Sequence, residues 1–382
     1  MPEVIKIKSK SILEKNVKFK LSLFKKPFAS KEKKKFKRYE TVNFKFNYFL
    51  NASKEFNKLG KVLLISGPAR NGNHLLKSML DGHPQINESP GEDFLLREFL
   101  SKCKENERKL INKIKNLKNI DFITSMSGAY MNKWNKLYRL KKKNKVLKTY
   151  AGTQPVNKSH VIDFQEHVPN IFYERYNSYL KKNLTNIKRS KTFLDFLKIY
   201  LEALTKLVKK KNNLKYKHLY TYSGMRRELF YLFERTRNIV CLCPIREFDT
   251  YYYSYVKARY KTNQIRQKPL DDLWEHWRHK TIDYLLLKKK YPNKIIFVKF
   301  EDLINKPEET GKKICKKLGL KYSNKLKVAT ILGKPVKGNS SIPKSDKYKG
   351  KFYKDPLSRK LPKKILPNEY FDILKLVHSQ CI

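Results

Sequence analysis

Gly67 and Gly72 bracket four residues in the segment LISGPARNGNHLLK (64–77), the glycine spacing of a loop that wraps a phosphate in backbone amides. In a nucleoside triphosphatase the next two residues are lysine, which reaches the outer phosphates, and serine or threonine, which holds magnesium. Here they are Asn73 and His74. The spacing keeps the cradle for a 5′-phosphate and drops the magnesium ligand, which favours a donor that carries phosphate and reacts without a metal. Arg70 inside the loop offers charge to an anion, and Asn71, Asn73 and His74 offer hydrogen-bond donors. Taken alone, the segment also reads as an ordinary tight turn between a strand and a helix.

A second pair decides between these readings. Arg246 follows the apolar run NIVCLCPI (238–245), and Ser254 comes eight residues later in REFDTYYYSY, roughly two helical turns on. Ligands of open α/β sheets collect at the carboxyl ends of strands, so this arginine and serine are placed to meet a second phosphate beside the first loop.

Both segments need strands and helices around them, and the pattern supplies these. KVLLIS (61–66), NIVCLCPI and KIIFVKF (294–300) are short continuous apolar runs of the buried parallel-strand type. After the loop, Leu75, Leu76, Met79 and Leu80 share one helical face, and Gly82, His83 and Pro84 stop the helix. Helices are expected over 224–237, 269–292 and 305–320, the last with Pro307 in its first turn and acidic residues where the helix dipole favours them. Strands alternating with helices predict an α/β fold, a parallel β-sheet with helices on both faces. Residues 101–230 read as a mostly helical insertion on the acceptor side. Residues 1–55 read as a basic N-terminal extension preceding a single α/β domain over 56–382.

Four segments in order resemble the sulfotransferase family, whose members use 3′-phosphoadenosine-5′-phosphosulfate. GPARNGNHLLKSMLDGHP (67–84) is similar to its 5′-phosphosulfate loop, and PIREFDTYYYSY (244–255) to its 3′-phosphate motif, where an arginine is followed eight positions later by a serine. VKFEDLINKPEETGKKICKKLGL (298–320) resembles the family's late block, and KGNSSIPKSDKYKGKFY (337–353) its C-terminal segment over the nucleotide. Asn71 and Asn73 stand for the usual serine and first threonine, His74 for the second threonine, and Phe300 for a tyrosine. The resemblance implies a P-loop-like fold and a donor site of Gly67, Arg70, Asn71, Gly72, Asn73, His74, Leu75, Arg246, Ser254, Lys349, Gly350 and Lys351. The expected product is 3′-phosphoadenosine-5′-phosphate, with no metal.

Sulfuryl transfer needs an acceptor hydroxyl or amine in line with sulfur, a base for its proton, and positive charge on the departing phosphate oxygen. Arg70, the loop amides, Asn73 and His74 are assigned the charge, with Lys77 a weaker candidate. The base must be a carboxylate or histidine near the loop. Glu92 in PGED occupies the place at which the tyrosylprotein and glycosaminoglycan branches of the resembled family carry a glutamate base. It also reads as a helix-starting acid, and Glu88 and His83 are alternatives. The tyrosines at 251–253 are either stacking groups for a base or sugar or helix packing. His276 and His279 beside Glu275 lack a convincing third metal ligand and read as a solvated face.

The chain has 382 residues and a formal net charge of +53, from 87 Lys and Arg against 34 Asp and Glu. Such a field attracts anions of many kinds and suits an acceptor glycan, lipid or small molecule that is already acidic. The basic residues are spread along the chain, which argues for solvated faces over a dedicated nucleic-acid footprint, and no nucleic-acid-binding motif is present. A basic polyanion-binding protein on a P-loop scaffold is the alternative, and a P-loop kinase is disfavoured by the missing lysine and serine or threonine. Five cysteines without paired spacing read as reduced thiols. No transmembrane segment or signal-peptide block is visible, so a cytoplasmic protein is expected. The oligomeric state is not encoded in any recognisable way.

Overall fold

The computed structural model describes residues 56, 58, 60–88, 107–120, 123, 170–205, 215–221, 226–260, 270–331, 333–336, 349–352, 361 and 365–382. All of them fall in one compact unit, Tyr48–Ile382.

Five strands, β1 (Lys61–Ile65), β2 (Ile86–Glu88), β3 (Tyr216–Thr221), β4 (Ile239–Ile245) and β5 (Ile295–Lys299), form a sheet of order β2-β3-β1-β4-β5. Every neighbouring pair is parallel. In β1, β4 and β5 nearly every side chain is buried, as the continuous apolar runs require. From β1 the chain crosses to the edge strand β2, returns to β3 beside β1, and then crosses to β4 on the other side, so the direction of the connections changes at β1. That switch leaves a crevice beyond the carboxyl ends of β1 and β4, where the glycine loop and Arg246 emerge.

Helix α1 (Asn73–Leu80) follows the loop and buries Leu76, Met79 and Leu80 completely in a core shared with Leu63, Ile65, Leu242 and Val298. Burial of each of these three side chains is worth about 1.5–3 kcal/mol, which fixes the helix and the loop at its head. In the central span lie α2 (Glu107–Lys115), α3 (Asn170–Lys182), α4 (Leu184–Lys188) and α5 (Phe193–Thr205). Glu107 ties this layer together: it accepts from Arg235 Nη1 at 2.8 Å, Tyr231 Oη at 2.8 Å and the Phe193 amide at 2.7 Å.

Tyr231 and Arg235 belong to α6 (Arg226–Arg235), which leads into β4. Beyond β4 come α7 (Phe248–Tyr260) and α8 (Leu270–Lys290). After β5 the chain forms α9 (Phe300–Asn305), α10 (Pro307–Leu318), a short hairpin of β6 (Thr330–Ile331) and β7 (Lys334–Pro335), and α11 (Asn368–His378). Helix α10 has Pro307 at its start, Glu308 and Glu309 in its first turn, and left-handed Gly319 closing it, as its sequence signals dictate. Phe248, Trp274, Trp277 and Tyr370 pack ring against ring and join α7, α8 and α11 behind Arg246.

The expected α/β fold, a parallel sheet flanked by helices, is present. Two details differ. The 101–230 span, read as mostly helical, also contains β3, the direct partner of β1; Lys217 and His218 interrupt the apolar run by which the other long strands are recognised. The run KIIFVKF ends as a strand at Lys299, and Phe300 opens α9. Cys241, Cys243, Cys315 and Cys381 are free thiols, and burial pushes Cys315 up to about 11 and Cys381 up to about 12. Cys103 and the basic extension lie outside the described residues. Among the described residues no helix is long and apolar enough to cross a membrane.

Candidate active site

The loop after β1 is shaped by two close approaches. A Cβ on Gly67 would stand 2.6 Å from the carbonyl oxygen of Pro244 in neighbouring β4. A Cβ on Gly72 would stand 2.3 Å from Cδ2 of Phe300, and Gly72 also has a φ of 97°, in the left-handed region. Both positions therefore need glycine. Asn73 Nδ2 braces the loop through the carbonyls of Gly67 and Pro68, at 3.2 and 3.3 Å. Gly72 offers no side chain to cap α1, so the first amides of that helix face the loop.

Arg70 lies within the loop at φ 71°, a conformation that costs a non-glycine residue energy and clusters at functional sites. Its Nη2 reaches Ser254 of α7, at 3.2 Å from the carbonyl oxygen and 3.3 Å from Oγ. Arg246, at the end of β4, donates from Nη1 to the carbonyl oxygen of Arg70 at 3.4 Å. The glycine loop and the arginine-serine pair, some 180 residues apart, thus meet at one point. Two guanidinium groups and one hydroxyl converge where a pair of phosphates could dock.

Arg246 is itself held on three sides. Nε donates to Thr250 Oγ1 at 3.0 Å, the guanidinium lies 4.2 Å above the Phe300 ring centroid, and the Arg246 carbonyl accepts from Trp277 Nε1 at 2.8 Å. Thr250 and Trp277 were not singled out by the sequence, and Phe300 was marked only as the replacement for a tyrosine. Thr250, four residues after Arg246 on the first turn of a helix, is the one whose spacing could have revealed it.

Asn71 is fully buried, and neither its Nδ2 nor its Oδ1 has a hydrogen-bond partner among the described residues. A buried amide left this way is costly unless something else completes it. The glycine cradle, the bare amide and the two arginines fit an anionic, phosphate-bearing group.

A model of the sulfotransferase family matches residues 63–324, which spans both phosphate segments and most of the chain. The chain belongs to the sulfotransferase family. Solved structures similar to this family member include the sulfotransferase domain from the curacin biosynthetic pathway, at 14% identity and TM-score 0.47, covering 85% of this chain and 99% of that one. The sulfotransferase domain of the Synechococcus PCC 7002 olefin synthase is similar at 16% identity and TM-score 0.40, with 83% and 93% covered. Sulfotransferase STF1 from Mycobacterium tuberculosis H37Rv is similar at 12% identity and TM-score 0.37, with 71% of each chain covered. No curated protein matches the sequence.

In this sulfotransferase-family chain the remaining expected residues lie in different places. His74 and Leu75 sit in the first turn of α1, Leu75 packing against the core. Lys77 is buried on the same helix. His83 is fully buried; its Nδ1 accepts from the Gln85 amide at 3.1 Å, so Nε2 carries the proton and donates to the Lys321 carbonyl at 3.1 Å. With its lone pair occupied, His83 is a structural histidine and not a base. Glu92 lies outside the described residues, and Glu88 is described only as backbone at the end of β2.

The Lys349-Gly350-Lys351 segment is held through Gly350 beside the β6–β7 hairpin. Gly350 donates to the Val336 carbonyl at 2.7 Å and accepts from the Ala329 amide at 2.9 Å. Adjacent Thr330 is bound to Asp81 at 2.6 Å, so the segment is anchored at the carboxyl end of α1 while the loop lies at its amino end. Tyr251 is core, packed on Phe248 and Tyr255. Glu275 pairs with His279 at 3.1 Å and with Arg278 at 2.8 Å, and Arg278 also reaches Glu369. That charge network joins α8 to α11 and already contains its cation.

Asn71→Ala separates binding from stability. The variant removes two unpartnered buried atoms, so the free protein loses at most about 1 kcal/mol in urea denaturation. Its affinity for a nucleotide bisphosphate falls roughly fivefold or more, the worth of about one hydrogen bond, as read by calorimetry. Equal affinity in wild type and variant would mean that Asn71 does not face the ligand.

Proposed function

We propose that this protein transfers a sulfuryl group from 3′-phosphoadenosine-5′-phosphosulfate to a hydroxyl or amine of a glycan, lipid or small-molecule acceptor. The observation that carries this reading is the meeting of Arg70, Ser254 and Arg246 across the crevice between β1 and β4. One loop with one arginine would suit any phosphate; a second arginine-serine pair beside it suits a nucleotide with phosphates at two positions. Asn73 and His74 stand where a triphosphatase needs lysine and serine or threonine, which argues against magnesium-ATP.

When bound, the donor supplies an activated sulfuryl group on a phosphate that departs as an anion. Gly67 and Gly72 let the loop pack against Pro244 and Phe300, and the loop amides, Asn71 and the head of α1 hold that phosphate. Arg70 and His74 stabilise the charge that grows on the departing oxygen; Asn73 acts indirectly, by bracing the loop. Arg246 and Ser254 hold the second phosphate and so keep the sulfur in one position. Glu92 is the proposed base for the acceptor's proton. Residues 101–230, apart from β3, are assigned to the acceptor side, and the net charge of +53 favours acceptors that carry acid groups.

Incubation with donor carrying radioactive sulfate and with pools of glycans, lipids and phenols tests the reaction. Label transferred to at least one pool, with release of the bisphosphate nucleotide, is expected. Donor left intact across every pool, in a protein that still binds the bisphosphate, would exclude transfer. Nucleotide-independent, salt-sensitive binding to unrelated DNA in place of transfer would favour the polyanion-binding alternative.

A further inference from the structure

Behind Arg246 lies a part-buried cluster of acidic side chains that the proposed chemistry does not use. Glu301, the second residue of α9, accepts through Oε1 from the Glu247 amide at 3.1 Å and lies 3.2 Å from Thr250 Oγ1. Thr250 Oγ1 in turn accepts from Arg246 Nε at 3.0 Å. The second oxygen, Oε2, is buried and has no hydrogen-bond partner among the described residues. A carboxylate oxygen taken from water with no donor to replace it disfavours the charged form.

We propose, on the reading of Arg246 as the second-phosphate ligand, that Glu301 is a positioning residue for Arg246 acting through Thr250, and that nucleotide docking on Arg246 is coupled to protonation of Glu301. The linkage is the charge of Arg246 acting on the carboxylate, supported by one hydroxyl: Thr250 Oγ1 accepts from Arg246 Nε and lies within donating distance of both Glu301 Oε1, at 3.2 Å, and the Glu247 carbonyl, at 3.1 Å.

The charges around this carboxyl come from every element packed against it. Arg246 and Glu247 lie at the end of β4, Lys299 at the end of β5, Asp302 beside Glu301 on α9, and Asp249 on α7. His378 and Tyr370 face it from α11, and Cys381 from the C-terminus. Lys299 Nζ lies 3.4 Å and His378 Nε2 3.9 Å from Glu247 Oε1, so Glu247 has its own positive partner. Burial, reinforced by the Glu247 carboxylate, pushes Glu301 up to about 7, while Arg246 pulls it the other way.

A phosphate dianion placed on Arg246 cancels that pull and raises the Glu301 value further. The sign follows: a group whose value is higher in the bound state takes up a proton on binding. Affinity is then highest below about pH 7, the free-state value, and falls as pH rises through the bound-state value.

The test is calorimetric titration of 3′-phosphoadenosine-5′-phosphate in pairs of buffers with different ionisation enthalpies, above roughly pH 7 so that the phosphate's own second proton, near pH 6, is largely lost. Wild type is expected to take up a fraction of a proton and to lose affinity several-fold, never more than about tenfold per pH unit, between roughly pH 7 and 8.5. Glu301→Gln keeps an oxygen for Thr250 and the Glu247 amide but cannot titrate. It is expected to bind with no proton uptake from the carboxyl and with a flat profile. Thr250→Val, which removes the acceptor of Arg246 Nε, lowers affinity at every pH. Proton uptake and slope unchanged in Glu301→Gln, or absent from wild type, would overturn the coupling and leave the donor site standing. Failure of wild type to bind the nucleotide at any pH would overturn both.

Discussion

Arg246→Ala lowers the affinity for 3′-phosphoadenosine-5′-phosphate by about tenfold to a hundredfold. A hydrogen bond to a charged group is worth about 1.5–3 kcal/mol, and each 1.4 kcal/mol is a factor of ten. Arg246 is buried, so its charge acts on a docked phosphate with little screening by water. The alanine variant also removes the guanidinium donor to Thr250 Oγ1 and the cation above Phe300, so a stability control belongs beside the titration. Arg246→Lys separates the two effects. It restores a charge without the planar fork, and recovers only part of the lost affinity. Calorimetry on the three proteins checks this; an alanine variant that binds like wild type would remove Arg246 from the site.

Gly72→Ala destabilises the fold by roughly 2–5 kcal/mol. Two costs add. A left-handed φ of 97° strains any side-chain-bearing residue by roughly 1–2 kcal/mol, and the new Cβ meets Phe300 ring carbons at 2.3 and 2.7 Å, which must move at a cost of about 1–3 kcal/mol. The ring underlies the Arg246 guanidinium, so affinity for the bisphosphate falls together with stability. The double variant Gly72→Ala with Phe300→Ala relieves the collision and keeps the backbone strain. Its destabilisation is therefore less than the sum of the single changes, which a double-mutant cycle in urea denaturation reads directly. A single variant within about 1 kcal/mol of wild type would contradict the close approach of Phe300 to the loop.

These residues also show what was legible before any coordinates. β1, β4 and β5 could be read because strands buried on both faces are continuous apolar runs, and α10 because proline and glycine mark its two ends. β3 could not: YKHLYT is polar at Lys217 and His218, and only its pairing with β1 and β2 makes it a strand. Gly67, Gly72, Arg70, Arg246 and Ser254 were visible as spacings within two local segments. Their meeting depends on β1 and β4 being neighbours, which the alternation of strands and helices allowed and did not specify.

Phe300, Thr250, Trp277 and Glu301 were hidden for the same reason. Phe300 and Glu301 reach Arg246 because β5 lies next to β4, and Trp277 because α8 packs behind the same strand end. Phe300 had been marked only as the replacement for a tyrosine; its place under a guanidinium gives the ring a function that needs no hydroxyl. The basic triplet Lys349-Gly350-Lys351 was matched by pattern, yet its backbone bonds tie it to the β6–β7 hairpin. Pattern finds residue types, and hydrogen bonds decide where the chain holds them.

The most direct test of the central claim is the selectivity of the wild-type protein between two nucleotides, titrated side by side in a calorimeter. Micromolar or tighter binding of 3′-phosphoadenosine-5′-phosphate without metal, at least about tenfold stronger than binding of ATP with magnesium, is the result expected of a site with two separate phosphate ligand sets and no magnesium-holding hydroxyl. Equal or stronger binding of magnesium-ATP would contradict it and return the glycine loop to ordinary triphosphate chemistry.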